Sequence, residues 1–434
     1  MNRIARRSSA VGGQLRFLKV VSAAFITLAA LTTTNSMTHA QTVNTIYSFP
    51  GNSGGARPDG ALLVDASGNL YGTTSSGGNN RSNGGIAFKL SPFGGGWSEN
   101  VLFQFLEILG DEPTSALVAD RRGNLYGTTP VGGSYRDGVV FQLAPKANGA
   151  YQYRVLYSFT GGNDGSGPYS GVIVDKTGNV YGTTNFGGAN SYGTIFELGR
   201  QANSSYVFSV LHDFIGTPSD GVGPVGLMFD EFGNIYGATN NGGAGNNGTV
   251  FELAKGTNGA WTYSILYSFE FNFTNASGGG PEAPPQFDKI GNIYGTTVSG
   301  GGCSWSTYGC GIVYKLKRSS STTWTESVLY TFQGGSDGAF PQSQLAFDSA
   351  GNLYGTTSNG GGSSDCFEGC GTVFKMSYSA GSWSNTQLHA FQGQSSEDGS
   401  DPTAGLVVDS LNNLYGTTNG GGLYGYGTVF EVTP

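Results

Sequence analysis

Gly68-Asn-Leu-Tyr-Gly-Thr-Thr74 decides the fold, because the chain returns to it six more times. Close copies stand at Gly123–Thr129, Gly178–Thr184, Gly233–Thr239, Gly291–Thr297, Gly351–Thr357 and Asn412–Thr418. Their starts lie 55, 55, 55, 58, 60 and 61 residues apart. Self-similarity at such a period marks a repeat architecture, in which each unit buries its apolar face only against its neighbours.

One repeat, read from Gly171, gives its parts. Gly171-Val-Ile-Val-Asp175 is short, β-branched and apolar, which predicts a strand. Asp175-Lys-Thr-Gly178-Asn179 predicts a turn, with Asp bonding its own backbone and Gly supplying positive φ. Val180–Thr184 is a second strand, Asn185–Tyr192 a loop, Gly193–Leu198 a third strand and Tyr206–Phe214 a fourth. No segment after Gln41 shows helical periodicity. Four strands joined by tight hairpins make a propeller blade.

The phase of the two ends predicts closure. Asn44–Phe49 matches a fourth strand (compare Arg154–Phe159), whereas Gly427–Val432 matches a third. The last blade lacks the one strand that the start of the chain supplies, and pairing them removes two open sheet edges. The expectation is an all-β, seven-bladed β-propeller with four-stranded blades, the N-terminal strand completing the last one. A β-solenoid is the alternative, although its coils are usually shorter.

The repeats check one another. An Asp opens each turn: Asp65, Asp120, Asp175, Asp230, Asp288, Asp348 and Asp409. Where the turn glycine is missing, Asn412 replaces it, and Asn tolerates positive φ best after Gly. A Pro precedes each first strand, as at Pro58, Pro113 and Pro168. The fourth strand opens with an aromatic at Trp97, Tyr151, Tyr206, Trp261, Trp324 and Trp383, expected to pack at the outer rim.

Residues 1–40 read as a secretory signal peptide, leaving residues 41–434 as the propeller. They hold five cations (Arg3, Arg6, Arg7, Arg16, Lys19), no acid, and the apolar run Val20–Leu31 before a small-x-small site at Thr38-His39-Ala40. The alternative, a membrane anchor, needs a span of ~20 residues, longer than this run. Without the leader, 16 cations face 29 acids, a net charge of −13. That acidity argues against nucleic acid, which needs a basic footprint. No later run is long enough to span a membrane.

Gly-Asn-Leu-Tyr-Gly-Thr-Thr, then Gly-Gly, then Gly-Thr-Val-Phe-Glu-Leu, then Val-Leu-Tyr-Ser-Phe resembles the bacterial GloVer tandem-repeat proteins. These are known for a "choice of anchor", similar repeats followed by differing surface-sorting tails. The resemblance covers residues 44–432 and implies a secreted or cell-surface bacterial protein. It supplies no catalytic residues. This chain stops at Glu431-Val-Thr-Pro434 without a sorting tail, so release into the periplasm or medium is expected rather than covalent attachment.

In such a blade, the loops after strands two and four share one face, and this face is the richer. Its second-to-third-strand loops carry Arg81, Tyr135, Arg136, Phe186, Tyr192, Asn240 and Asn241, then Trp305, Tyr308, Phe367, Tyr424 and Tyr426. Its fourth-to-first-strand loops bring Asp-Gly pairs at Asp164, Asp220, Asp337 and Asp398. Aromatics with Asn and Asp suit a sugar, offering stacking and directional hydrogen bonds. The bland reading is ordinary Gly-rich surface loops.

Cys303, Cys310, Cys366 and Cys370 lie in two of these loops. In a secreted chain they read as disulfides, the within-loop pairs fitting best among three pairings; a four-thiolate zinc site is the alternative. After the leader only His212 and His389 remain, both in the Tyr slot of Val-Leu-Tyr-Ser-Phe, which predicts packing. A Ser-His-Asp triad or three-His metal site has little to work with. The repeated Asp-x-x-Gly-Asn lacks the alternating ligands of a calcium loop. No cofactor and no metal is expected.

Three functions stay open: a non-catalytic binding or scaffold protein for an extracellular glycan or protein, a structural envelope or matrix component, and a carbohydrate-active enzyme with paired carboxylates on the loop face.

Overall fold

The computed structural model describes residues 42–78, 83–270, 277–320 and 323–433. The proposed leader and Arg81 lie outside them. The seven repeats form seven four-stranded antiparallel sheets arranged as a seven-bladed β-propeller. The first blade takes Leu63–Val64, Leu70–Thr74, Ile86–Phe93 and Gly96–Gln104. The last takes Val407–Val408, Leu414–Thr418 and Thr428–Thr433, with Thr42–Ser48 as its fourth strand. Thr42 pairs with Thr433 and Ser48 with Thr428, so the ring closes as the phase of the ends predicts.

The motif is turn and packing chemistry throughout. Asp65 Oδ1 accepts from the Ser67 and Asn69 amides at 2.8 and 2.9 Å, and Oδ2 from Asn69 Nδ2 at 2.7 Å and the Tyr71 hydroxyl at 3.1 Å. Asn412 takes φ 66°, the role that Gly plays elsewhere. Leu70 and Tyr71 are buried. A Cβ on Gly72 would stand 2.6 Å from the Phe88 ring, so only glycine lets that ring cross the strand.

The two threonines divide two tasks. The second bonds within its own blade: Thr74 Oγ1 donates to the Ser76 carbonyl at 2.8 Å. The first reaches the next blade, as Thr73 to Ser115 O, Thr128 to Ser170 O, Thr296 to Ser343 O, Thr356 to Ala404 O and Thr417 to Gly60 O. Blade four breaks this series from both sides. Thr183 before it has a buried hydroxyl with no partner, and its own Ala238 has no hydroxyl. Its first strand is also the long one, Gly221–Phe229, shifted in register between Pro224 and Leu227.

Three details differ from the sequence reading. The first strand is usually two residues, as in Ile173–Val174, because the following Asp leaves the ladder to build its turn. Every fourth strand carries a bulge; Leu156 is the extra residue between the pairs Val140–Tyr157 and Phe141–Val155, which bends the strand at that point. The aromatics that open the fourth strands pack against the preceding blade rather than on a free rim. Trp97 meets Tyr415 at 6.1 Å, Trp261 meets Tyr181 at 6.0 Å and Trp383 meets Tyr294 at 6.1 Å, all edge-on. Apolar clusters therefore straddle blade boundaries; one unites Phe49, Leu70 and Phe88 with Tyr415 and Val429 across the closure.

Candidate functional site

The two loop families are hydrogen-bonded to each other, which puts them on one face. Ala56 bridges Ser76, Asp111 bridges Val131, Ser166 bridges Phe186 and Ala339 bridges Asn359. Aromatics add a second tie. The Tyr426 ring lies so close to Gly51 that a Cβ there would be 2.3 Å from it; Tyr192 covers Gly216 and Trp305 covers Gly334 in the same way. Trp305 also stacks on Phe340 at 6.2 Å. These three candidate rings thus have one face against backbone. Tyr135, Tyr308, Phe367 and Tyr424 project instead, with 60%, 65%, 90% and 51% of their surface exposed. Beside Tyr135, Arg136 pairs with Glu107 at 2.8 Å.

The Asp-Gly acids sit in equivalent places, each tied into its own loop. Asp164 accepts from Tyr157 OH at 2.9 Å and the Thr160 amide at 2.9 Å. Asp337 accepts from Tyr330 OH at 2.6 Å and the Gln333 amide at 2.8 Å. At Asp220 and Asp398 the tyrosine is replaced by His212 and His389, whose Nε2 atoms lie 3.1 and 2.8 Å from the carboxylates. Burial pushes both carboxyls up, but the imidazole and two amides at each outweigh it and hold them below the ordinary range. The histidines pack as expected, His212 stacking on Tyr263 at 3.9 Å. They also carry the polar bond that tyrosine makes elsewhere.

The cysteines pair within their loops as Cys303–Cys310 and Cys366–Cys370. The four-thiolate zinc alternative is thereby removed. Among the described residues no group of three or more His, Cys, Asp or Glu is arranged to hold a metal. No helix among them is long and apolar enough to cross a membrane.

Sequence reasoning did not name the residues that line the axis. The segments that lead into the first strands of all seven blades surround a cavity of about 430 Å³. The residue after the proline that recurs in each repeat lines it, at Asp59, Thr114, Tyr169, Val225, Glu282, Gln342 and Thr403. Asp59 accepts from Asn419 Nδ2, and Asn419 Oδ1 accepts from Arg57 Nε at 3.2 Å. Partial burial raises the Asp59 carboxyl above the ordinary range; the nearby Asp401 and Glu112 add repulsion, against Ser75 and Arg57. The readable signal was the aligned proline at seven places. A larger cavity, about 1010 Å³, opens on the opposite face between blades five and six, lined by Phe287, Ile290, Lys315, Tyr378 and Trp383.

Solved structures with similar folds share little sequence. The extracellular domain of a protein described as a one-component system of B. thetaiotaomicron aligns at TM-score 0.51 and 11% identity, covering 90% of this chain and 40% of that one. An ancestral GH74 enzyme aligns at TM-score 0.52 and 10% identity, covering 87% of this chain and 47% of its own. The chain spans less than half the length of either, and at such identities the likeness shows the fold alone. No curated protein matches. The Gloeobacter/Verrucomicrobia repeat matches residues 30–161, 147–272 and 257–434, and the chain belongs to that repeat family.

Proposed function

We propose that this protein is a secreted, non-catalytic binding propeller that presents its loop face to an extracellular glycan or surface protein. One observation carries the reading: Tyr135, Tyr308, Phe367 and Tyr424 stand exposed on one face, on loops pinned by hydrogen bonds and, in blades five and six, by disulfides. Rigid aromatics at low entropic cost are what recognition surfaces use. The loop acids Asp164, Asp220, Asp337 and Asp398 already hold bonds within their loops, which favours scaffold over acid–base work for them. The two disulfide-bonded pairs suit an extracellular or periplasmic place.

The test is a glycan array and a cell-surface pull-down with residues 41–434, run beside a Tyr308→Ala/Phe367→Ala double variant. Capture by the wild type that drops at least tenfold in the variant supports the reading. No capture by the wild type, or equal capture by both, overturns it.

A further inference from the structure

Strands within a blade are antiparallel, so the first-to-second turns and the third-to-fourth hairpins share the face opposite the loops. The third residue of the turn is Ser67, Arg122 and Thr177 in blades one to three, but Phe232, Ile290, Ala350 and Leu411 in blades four to seven. Phe232, Ile290 and Leu411 are 82%, 85% and 76% exposed. The polar residues at the same place in blades one to three show that the turn itself asks for no apolar group there. Blades six and one carry a large apolar residue at the hairpin instead, as the exposed Tyr378 and Phe93. Going round the ring, blades four to seven and then one each hold out one such side chain. The open groove of about 1010 Å³ between blades five and six takes Ile290 and Tyr378 into its lining.

Charge divides the same face. Its turns, with its hairpins and the strand residue at either end of each, hold eight cations against eight acids. Seven of those acids are the turn aspartates, engaged within their own turns as at Asp65; the eighth is Glu231. The net charge of −13 on residues 41–434 therefore lies elsewhere on the body. Five of the eight cations belong to blades two and three, as Arg121, Arg122, Lys146, Lys176 and Arg200, and among the described residues none of the five is in an ion pair. Four of them line one groove.

We propose that this turn face docks on an anionic phospholipid surface, the apolar arc entering the headgroup layer and the cations of blades two and three meeting lipid phosphates. Single apolar side chains on separate tips suit a fluid surface that closes round each of them, as interfacial segments use. Tyr378 and Trp383, beside the large groove, are the residue types that settle at the boundary of water and lipid. Each cation near such a surface adds attraction, which salt screens. Charge complementarity favours lipid over a second copy of the chain, since the basic sector would meet on a facing copy only Glu231 and aspartates already engaged. The acids elsewhere on the body are repelled by the same bilayer, which fixes the side that turns towards it. The loop face then points away from the lipid, free for the binding function above.

The test is flotation of residues 41–434 with vesicles of phosphatidylcholine, made with and without phosphatidylglycerol. The wild type is expected to float with the anionic vesicles, less with the neutral ones, and to be released in part by high salt. Phe232→Ser/Ile290→Ser/Leu411→Ser gives three blades the serine of blade one; it should lower the bound fraction about tenfold and leave the melting temperature unchanged. Arg121→Ala/Arg122→Ser/Lys176→Ala should erase the preference for phosphatidylglycerol. A wild type that floats with neither vesicle, a serine variant that floats as the wild type does, or one that melts lower overturns the proposal. Self-association that the serine variant loses, with no flotation of either protein, assigns the face to a second copy instead. Tyr308→Ala/Phe367→Ala, on the other face, should float like the wild type, and the serine variant should be captured like the wild type in the loop-face test. Flotation scores lipid alone and the loop-face test scores glycan and protein, so either can fail without the other.

Discussion

Thr417 of the last blade donates its hydroxyl to the Gly60 carbonyl of the first, 3.3 Å away and 357 residues earlier in the chain. The same bond recurs between other neighbouring blades, so the closing seam is built like the others rather than by a special device. Removing one such bond should cost about 1 kcal/mol. Thr417→Val and Thr128→Val are expected to lose that much in denaturant titrations. Thr183→Val should be neutral or stabilising, since the Thr183 hydroxyl is buried without a partner.

Deleting residues 1–50 removes Thr42–Ser48, the strand paired with the outer edge of Thr428–Thr433. An exposed, fully formed strand edge recruits other chains. The truncated protein is expected to elute as dimers and larger species in size-exclusion chromatography. A synthetic peptide covering residues 42–50 should restore the elution volume of the chain that keeps its N-terminal strand, by filling the slot; a truncated chain that elutes at that volume without the peptide would contradict the pairing.

Acid and base act on stability with opposite signs. Asp65, Asp120, Asp175, Asp288 and Asp348, with Asp220 and Asp398, are buried in part, yet their hydrogen bonds hold them below the ordinary range. Their contribution is complete above about pH 4, the unfolded value, and is lost as pH falls through the folded ones. Glu99 runs the other way. Burial pushes it up to about 7, with only the Tyr47 hydroxyl opposing, and its Oε1 is buried with no partner. Its contribution is complete below about pH 4.3 and is lost as pH rises through 7. Unfolding free energy should rise from pH 8 to 5 and drop below 4. Glu99→Gln should be more stable than wild type at pH 8 and flatten the upper limb.

The two disulfides close short loops, seven and four residues apart. Chain-entropy arithmetic gives about 2–2.5 kcal/mol for each. Cys366→Ala/Cys370→Ala should unfold at lower denaturant by that order, and hydrogen exchange should rise in residues 359–371 while blades one to four stay unchanged. Peptide mapping without reduction should recover both within-loop pairs.

Much of this fold was legible because the repeat is local chemistry. Asp65, Gly68 and Asn69 make a turn from side-chain and backbone bonds within five residues, and such bonds leave a direct trace in sequence. The strand phase at Asn44 and Gly427 fixed the closure for the same reason. The bulge at Leu156 was hidden, since an extra apolar residue reads like its neighbours. The face was legible but its division of labour was not. Tyr192 and Tyr308 look alike in the chain, and only the partner loop shows that one covers Gly216 while the other projects. The axial cavity takes residues from every blade, from Asp59 to Thr403, so no single window of sequence contains it.

Ring closure also sets an order in time. Ser48 pairs with Thr428, so the strand made first waits for 380 more residues before its partner exists. At roughly 5–20 residues per second of synthesis, that interval is about 20–80 s. Throughout it, Thr42–Ser48 has no native ladder to join. A chaperone that holds the emerging front of the chain would have its natural client in those seven residues.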